Sequence, residues 1–166
     1  MEVKVPFYNI VNMFLTGLVF LGAVVFLIPE TAIEVLDSPF IAKASAGSEL
    51  VGVVCVFAIA YEAGLIVNRI GSVLIEWCLR KLKWIPFDDD YAKFNRKQEK
   101  HRIMQTLSRE YALSRTGIAL FLILAILALF SRKPLFAIFA FFIAMIYLVS
   151  CRKHAKKIVA IMEAQE

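Results

Sequence analysis

No charged residue lies between Lys4 and Glu30. A helix at 3.6 residues per turn would show an apolar side chain in every direction over those 25 residues, so no face is left for water. A bilayer core about 30 Å thick needs roughly 20 apolar residues as a helix, because only a helix closes its backbone hydrogen bonds internally there. Three further stretches meet or approach that requirement: 50–75, interrupted by Glu62 and Arg69; 112–131, with Arg115 near its start; and 135–151, bounded by charges at both ends. The expected spans are 5–29, 50–75, 112–131 and 135–151. At 60% apolar and 20% charged residues, the chain lies below the roughly 25% charge of a soluble domain. That excludes disorder, a disulfide-rich mini-protein and an ordinary water-soluble enzyme. The expected fold class is all-α: an integral membrane four-helix protein with helical cytosolic extensions. The first apolar run is longer than a signal peptide's and no A-x-A site follows it, so it reads as a retained helix.

Basic residues set orientation. The N-terminal residues, the 76–115 connection and the 152–166 tail carry 1, 10 and 4 Lys/Arg, against 1 in the 30–49 loop and 2 in the 132–134 turn. Both termini and the long connection are therefore expected in the cytosol, with the acidic 30–49 loop outside. The net charge of +5 is read as topology, not as a nucleic-acid signal. Cys55, Cys78 and Cys151 show neither a CxxC pair nor a Cys/His ligand spacing. Cys55 and Cys151 read as small buried side chains.

Pro29 cannot continue a helix and should end the first. Ser131-Arg132-Lys133-Pro134 is a connection short enough for an antiparallel helical hairpin. The second helix should run on past the span, from 50 to 83, with Pro86 as its end; that is about 50 Å at 1.5 Å per residue. Ile103, Leu107, Tyr111 and Ile118, with Met104 beside them, predict a helix entering the third span. Ile158, Ile161 and Met162 form an apolar stripe continuing the fourth. Three such extensions, including the 76–111 connection and the 152–166 tail, would pack as a small bundle beneath the membrane.

Glu62 is the most informative single residue, since a charge within a span costs a few kcal/mol. Arg69 and Glu76 follow at seven-residue steps, which puts all three near one helix face. This is read either as a polar line along a pore, cavity or oligomer seam, or as a structural contact with Arg69 snorkelling to the surface. Asn9, Asn12, Asn68 and Tyr61 are candidate partners for Glu62. Ala60/Gly64 and Ala140/Ala144 are small-xxx-small pairs that allow close helix approach, within one chain or between copies. Trp84, Phe87, Tyr91, Phe94, Arg96, Lys97, Lys100 and Arg102 make a basic and aromatic surface suited to lipid or a docked partner; nucleic acid is not expected. Asp88, Asp89 and Asp90 read as a helix cap rather than a metal site. His101 and His154 sit in basic runs and read as solvated. There is no GxSxG, Gly-rich phosphate loop or acid/base pair. No catalytic residue, metal site or cofactor is expected.

The span layout, with the basic connection Trp84-Ile85-Pro86-Phe87-Asp88-Asp89-Asp90 through Leu107-Ser108-Arg109-Glu110-Tyr111-Ala112-Leu113-Ser114-Arg115-Thr116, resembles the small four-pass membrane proteins of bacterial anti-phage defence cassettes. The resemblance implies a membrane sensor or effector subunit in the bacterial inner membrane, paired with a soluble cytosolic protein. From the residues themselves, the expected function is a non-enzymatic membrane protein that forms a homo-oligomer in the bilayer. A proton- or cation-coupled transporter or channel using Glu62 is the alternative, and a lipid-modifying membrane enzyme using the Asp triplet ranks after it.

Overall fold

The computed structural model describes residues 7–30, 49–86 and 102–163. Among these residues the chain is helical, with no strand. The elements are α1 (Phe7–Leu27), α2 (Glu49–Ile70), a π-helical turn (Gly71–Ile75), α3 (Glu76–Lys81), α4 (Arg102–Phe130) and α5 (Pro134–Glu163). Among the described residues four helices are long and apolar enough to cross a membrane: α1, the run Val51–Lys81, α4 and α5. Helix α1 stops at Leu27, two residues before Pro29, as expected from the bias of pre-proline residues against helix. The Asp triplet, His101 and the expected outer loop lie outside the described residues.

Helices α4 and α5 form the expected hairpin. Met104, Tyr111, Ser114, Ile118, Ala125 and Ala128 are buried on α4, and Ala137, Ala140, Ala144, Cys151, Ala155 and Ile158 on α5. Their spacing alternates in threes, fours and sevens, the seam of an antiparallel coiled coil. Alanine brings the backbones close. Where the bulky Tyr147 falls, α4 supplies Gly117, and a Cβ there would meet the Tyr147 ring at 2.7 Å. The Ala140/Ala144 pair therefore serves packing within the chain.

Helices α1 and α2 make the second close pair. A Cβ on Gly17 would lie 1.6 Å from the Ala60 carbonyl oxygen, and one on Gly64 1.7 Å from that of Met13. Backbone thus lies on backbone at both positions, and the Ala60/Gly64 pair is consumed inside the chain. Phe14 and Phe57 stack beside the crossing, with ring centroids 4.5 Å apart.

Helix α4 joins the two pairs. One core cluster gathers Leu27 and Val67 onto Leu120, Leu124, Ala128 and Ala137. The other gathers Leu79 and Ile85 onto Met104, Tyr111, Ile118, Cys151 and Ile158. The end of the second helix, the start of α4 and the end of α5 therefore pack together. Within that bundle Met104 is the buried residue and Ile103 is exposed; Met104 holds the seven-residue register with Tyr111 and Ile118, and Ile103 falls beside it.

The second helix ends earlier than the sequence suggested. Helical structure stops at Lys81 and Lys83 turns into the left-handed region at φ 51°. The Trp84 amide then donates to the Leu79 carbonyl at 2.9 Å, and the Lys83 amide to that of Arg80 at 2.9 Å. This left-handed cap turns Trp84 and Ile85 back under the bundle. Arg132, at φ 55°, closes α4 in the same way, with the Lys133 amide donating to the Ala128 carbonyl at 2.9 Å. A side chain in that region costs about 1 kcal/mol relative to glycine. Arg132→Gly is therefore expected to stabilise the hairpin by about that amount, seen as a higher midpoint of thermal unfolding in detergent; a lower midpoint would show that the Arg132 side chain itself holds the turn.

Candidate functional site

The expected line of Glu62, Arg69 and Glu76 is divided in two. Glu62 and Arg69 are exposed on the outside of α2, and Glu76 is turned inward. Between Arg69 and Glu76 lies the π-turn, which takes one extra residue per turn and swings the following helix by roughly a quarter turn. Seven-residue spacing preserves a face only along an uninterrupted α-helix, so the line breaks at Gly71. That glycine is also where the backbone of α4 comes close: a Cβ on it would be 3.0 Å from the Arg115 carbonyl oxygen.

Glu76 is the centre of an ion-pair network. Arg80, one turn on, donates to its Oε1 through Nη2 at 2.8 Å and Nε at 3.2 Å. Arg115 of α4 donates from Nη1 to its Oε2. The side chains of Arg115 and Glu76 are only 14% and 16% exposed, against 29% for Arg80. Arg115 also lies 5.5 Å from the centre of the Tyr111 ring. Nothing in the sequence paired Arg115 with Glu76, since they are 39 residues apart and belong to different helices.

A band of small polar contacts continues beside this network. The Thr116 hydroxyl donates to Asn68 Oδ1 at 2.7 Å. The Ser114 hydroxyl donates to the Glu110 carbonyl at 2.8 Å and lies 3.2 Å from the hydroxyl of Ser150. These serines have no general base among these contacts, and they join α4 to itself and to α5.

Near the same end of the bundle, α1, α2 and α4 border a cleft of about 330 Å³, lined by Tyr8, Asn9, Asn12 and Met13 from α1, Asn68 from α2, and Gln105, Ser108, Arg109, Ala112 and Leu113 from α4. The sequence had marked the three asparagines as partners for Glu62. They line this cleft instead, and Glu62 is exposed on α2, about 120° around the helix from Asn68. Asn9 and Asn12, three apart in an apolar helix, were the one signal of the cleft available from sequence.

Of the expected docking surface, Phe87, Tyr91, Phe94, Arg96, Lys97 and Lys100 lie outside the described residues, and Arg102 is the first residue of α4. Trp84 is half-buried: it packs against the lower core with the Arg152 guanidinium 4.4 Å from its ring centre. The cap at Lys83 is what folds it inward. His154 is half-buried with its Nδ1 enclosed, rather than solvated, because it lies on α5 next to the buried Ala155. Cys151 is buried as expected, but Cys55 is exposed, on the outer face of α2. Among the described residues no group of His, Cys, Asp or Glu side chains is placed to hold a metal ion. Comparisons with protein-family models, curated proteins and solved structures found no match to this chain.

Proposed function

We infer that the chain is a non-enzymatic membrane protein that works as an oligomer, with the exposed face of α2 as the seam between copies. The carrying observation is the position of Glu62. It lies between the two contact points of the α1–α2 crossing, Ala60 and Gly64, which meet the middle of α1; yet it is exposed. In a bilayer that is mid-depth, where an ionisable group facing lipid costs a few kcal/mol and where such groups face protein or water. Cys55, Ile59, Glu62, Ile66 and Arg69 are all exposed at alternating four- and three-residue steps, the spacing of a helix–helix seam. A second copy laid against this stripe removes Glu62 from lipid and gives it polar partners.

The basic residues orient both termini toward the cytosol of a bacterial inner membrane under the positive-inside rule. Resemblance in layout to four-pass defence proteins supports the role of a membrane sensor or effector, with the connection beyond Pro86 offered to a soluble partner or used to gate permeability.

The test is the mass of the complex in mild detergent or nanodiscs. The wild type is expected as a defined multimer. Glu62→Leu makes α2 more apolar but removes the polar contact, and is expected to weaken association about tenfold, or 1–2 kcal/mol. Cys55 gives an independent readout: in a Cys78→Ser background, oxidation in the membrane should cross-link α2 to its symmetry mate. A monomeric wild type that gives no Cys55 cross-link would sink the oligomer.

A further inference from the structure

The polar cleft between α1, α2 and α4 lies away from the α2 seam and is not explained by it. Its position along the helices is informative. Tyr8, Asn9 and Asn12 occupy the first two turns of α1, and Arg109 precedes the point where α4 becomes continuously apolar at Gly117. The cleft therefore straddles the boundary between the basic end of the molecule and its apolar belt. Its lining changes accordingly along the helices: Asn9, Ser108 and Arg109 come first, and Met13, Ala112 and Leu113 follow one turn further on.

Polar groups at such a depth are costly unless they are hydrogen-bonded. Thr116 takes the Asn68 oxygen, which leaves the Asn68 amide N–H groups to the cleft. No hydrogen bond within the described residues engages the side chains of Asn9 or Asn12. Arg109 adds a fixed positive charge to the lining. Among the described residues, the Glu110 carboxylate and Arg109 both lie within electrostatic reach of the Tyr8 hydroxyl, but Glu110 does not line the cleft.

We propose that this cleft binds a phosphate-bearing headgroup, with the phosphate held by Arg109 and the Asn9, Asn12 and Asn68 amides and the apolar remainder laid along Met13 and Leu113. Guanidinium and amide N–H groups match phosphate oxygens in charge and geometry. A volume of about 330 Å³ lies at the small end of ligand pockets and suits a phosphoglycerol-sized group rather than a whole lipid, so acyl chains would lie outside it. A phospholipid satisfies both the polar and the apolar lining residues; a soluble phosphate ester satisfies only the polar ones.

The experiment uses the full chain, delipidated in mild detergent and titrated with palmitoyl-oleoyl phosphatidylglycerol, with the matching phosphatidylcholine, and with glycerol phosphate. Binding is followed by native mass spectrometry and by thermal shift. Phosphatidylglycerol is expected to bind, and Arg109→Gln and Asn12→Leu are each expected to weaken that binding at least tenfold. Lys133→Gln, which removes a cation at the opposite end of the bundle, should leave it unchanged. Both cleft variants alter side chains that are not fully buried, and unchanged circular dichroism confirms that they fold. Tight binding of glycerol phosphate alone, lost in the same variants, supports the phosphate site and assigns it to a soluble ligand. Equal lipid binding by the wild type, Arg109→Gln and Asn12→Leu overturns the proposal, as does a wild type that binds none of the three. None of these readouts depends on the oligomeric state.

Discussion

Gly64→Ala is expected to destabilise the protein by about 3 kcal/mol, at the upper end of what one added methyl normally costs in a packed site. The new Cβ would sit 1.7 Å from the Met13 carbonyl oxygen, half of a normal carbon–oxygen contact. The obstacle is backbone, so no rotamer change relieves it and α1 must move as a body. Gly17→Ala meets the same obstruction from the other side, at 1.6 Å from the Ala60 carbonyl. Because either substitution separates the same two helices, the double variant should cost clearly less than the sum. Gly22→Ala is the control. Nothing lies within 4 Å of a Cβ at that position, and alanine is the better helix former by about 1 kcal/mol. Thermal unfolding in one detergent should therefore move down for Gly17 and Gly64 and remain level or move up for Gly22. A Gly64→Ala protein as stable as the wild type would mean that α1 and α2 do not cross at these residues.

Glu76→Leu is expected to be as damaging, at about 3–5 kcal/mol, because it strands a cation rather than because it removes an attraction. The two arginines fare differently. Arg80, at 29% side-chain exposure, can swing outward, whereas Arg115, at 14%, lies under α2. Its Nε is already enclosed without a hydrogen-bond partner among the described residues, so Glu76 carries most of its compensation. Removing the cation as well should recover much of the loss. Glu76→Leu with Arg115→Met is expected to be more stable than Glu76→Leu alone, since an apolar pair of similar size often matches a buried ion pair. If the double variant is no better than the single, the damage lies in the packing of α3 and not in the unpaired charge.

The long features of the fold were legible along the chain. Four long apolar helices and the hairpin at Ser131-Arg132-Lys133-Pro134 depend on local composition and on 3.6-residue periodicity. The candidate site was legible only in part. Glu62 could be singled out because a lone carboxylate in an apolar run is conspicuous wherever it points. Its supposed continuation through Arg69 to Glu76 failed because the projection assumed an unbroken α-helix, and the π-turn at Gly71–Ile75 has no local signature. Trp84 was misplaced for a related reason: nothing in Leu82-Lys83-Trp84 announces a left-handed lysine, and that single residue reverses the chain.

Composition and spacing alone determined that this protein is built of four apolar helices, because covering the backbone and dispersing charge are requirements each segment meets by itself. Tertiary structure alone decided which polar residues meet. Glu76 found Arg115 across 39 residues, Asn68 found Thr116, and Asn9, Asn12 and Arg109 were brought to one cleft. These are contacts between helices whose relative rotation is set by glycine and alanine at their crossings, and small side chains say that helices can approach without saying which ones will.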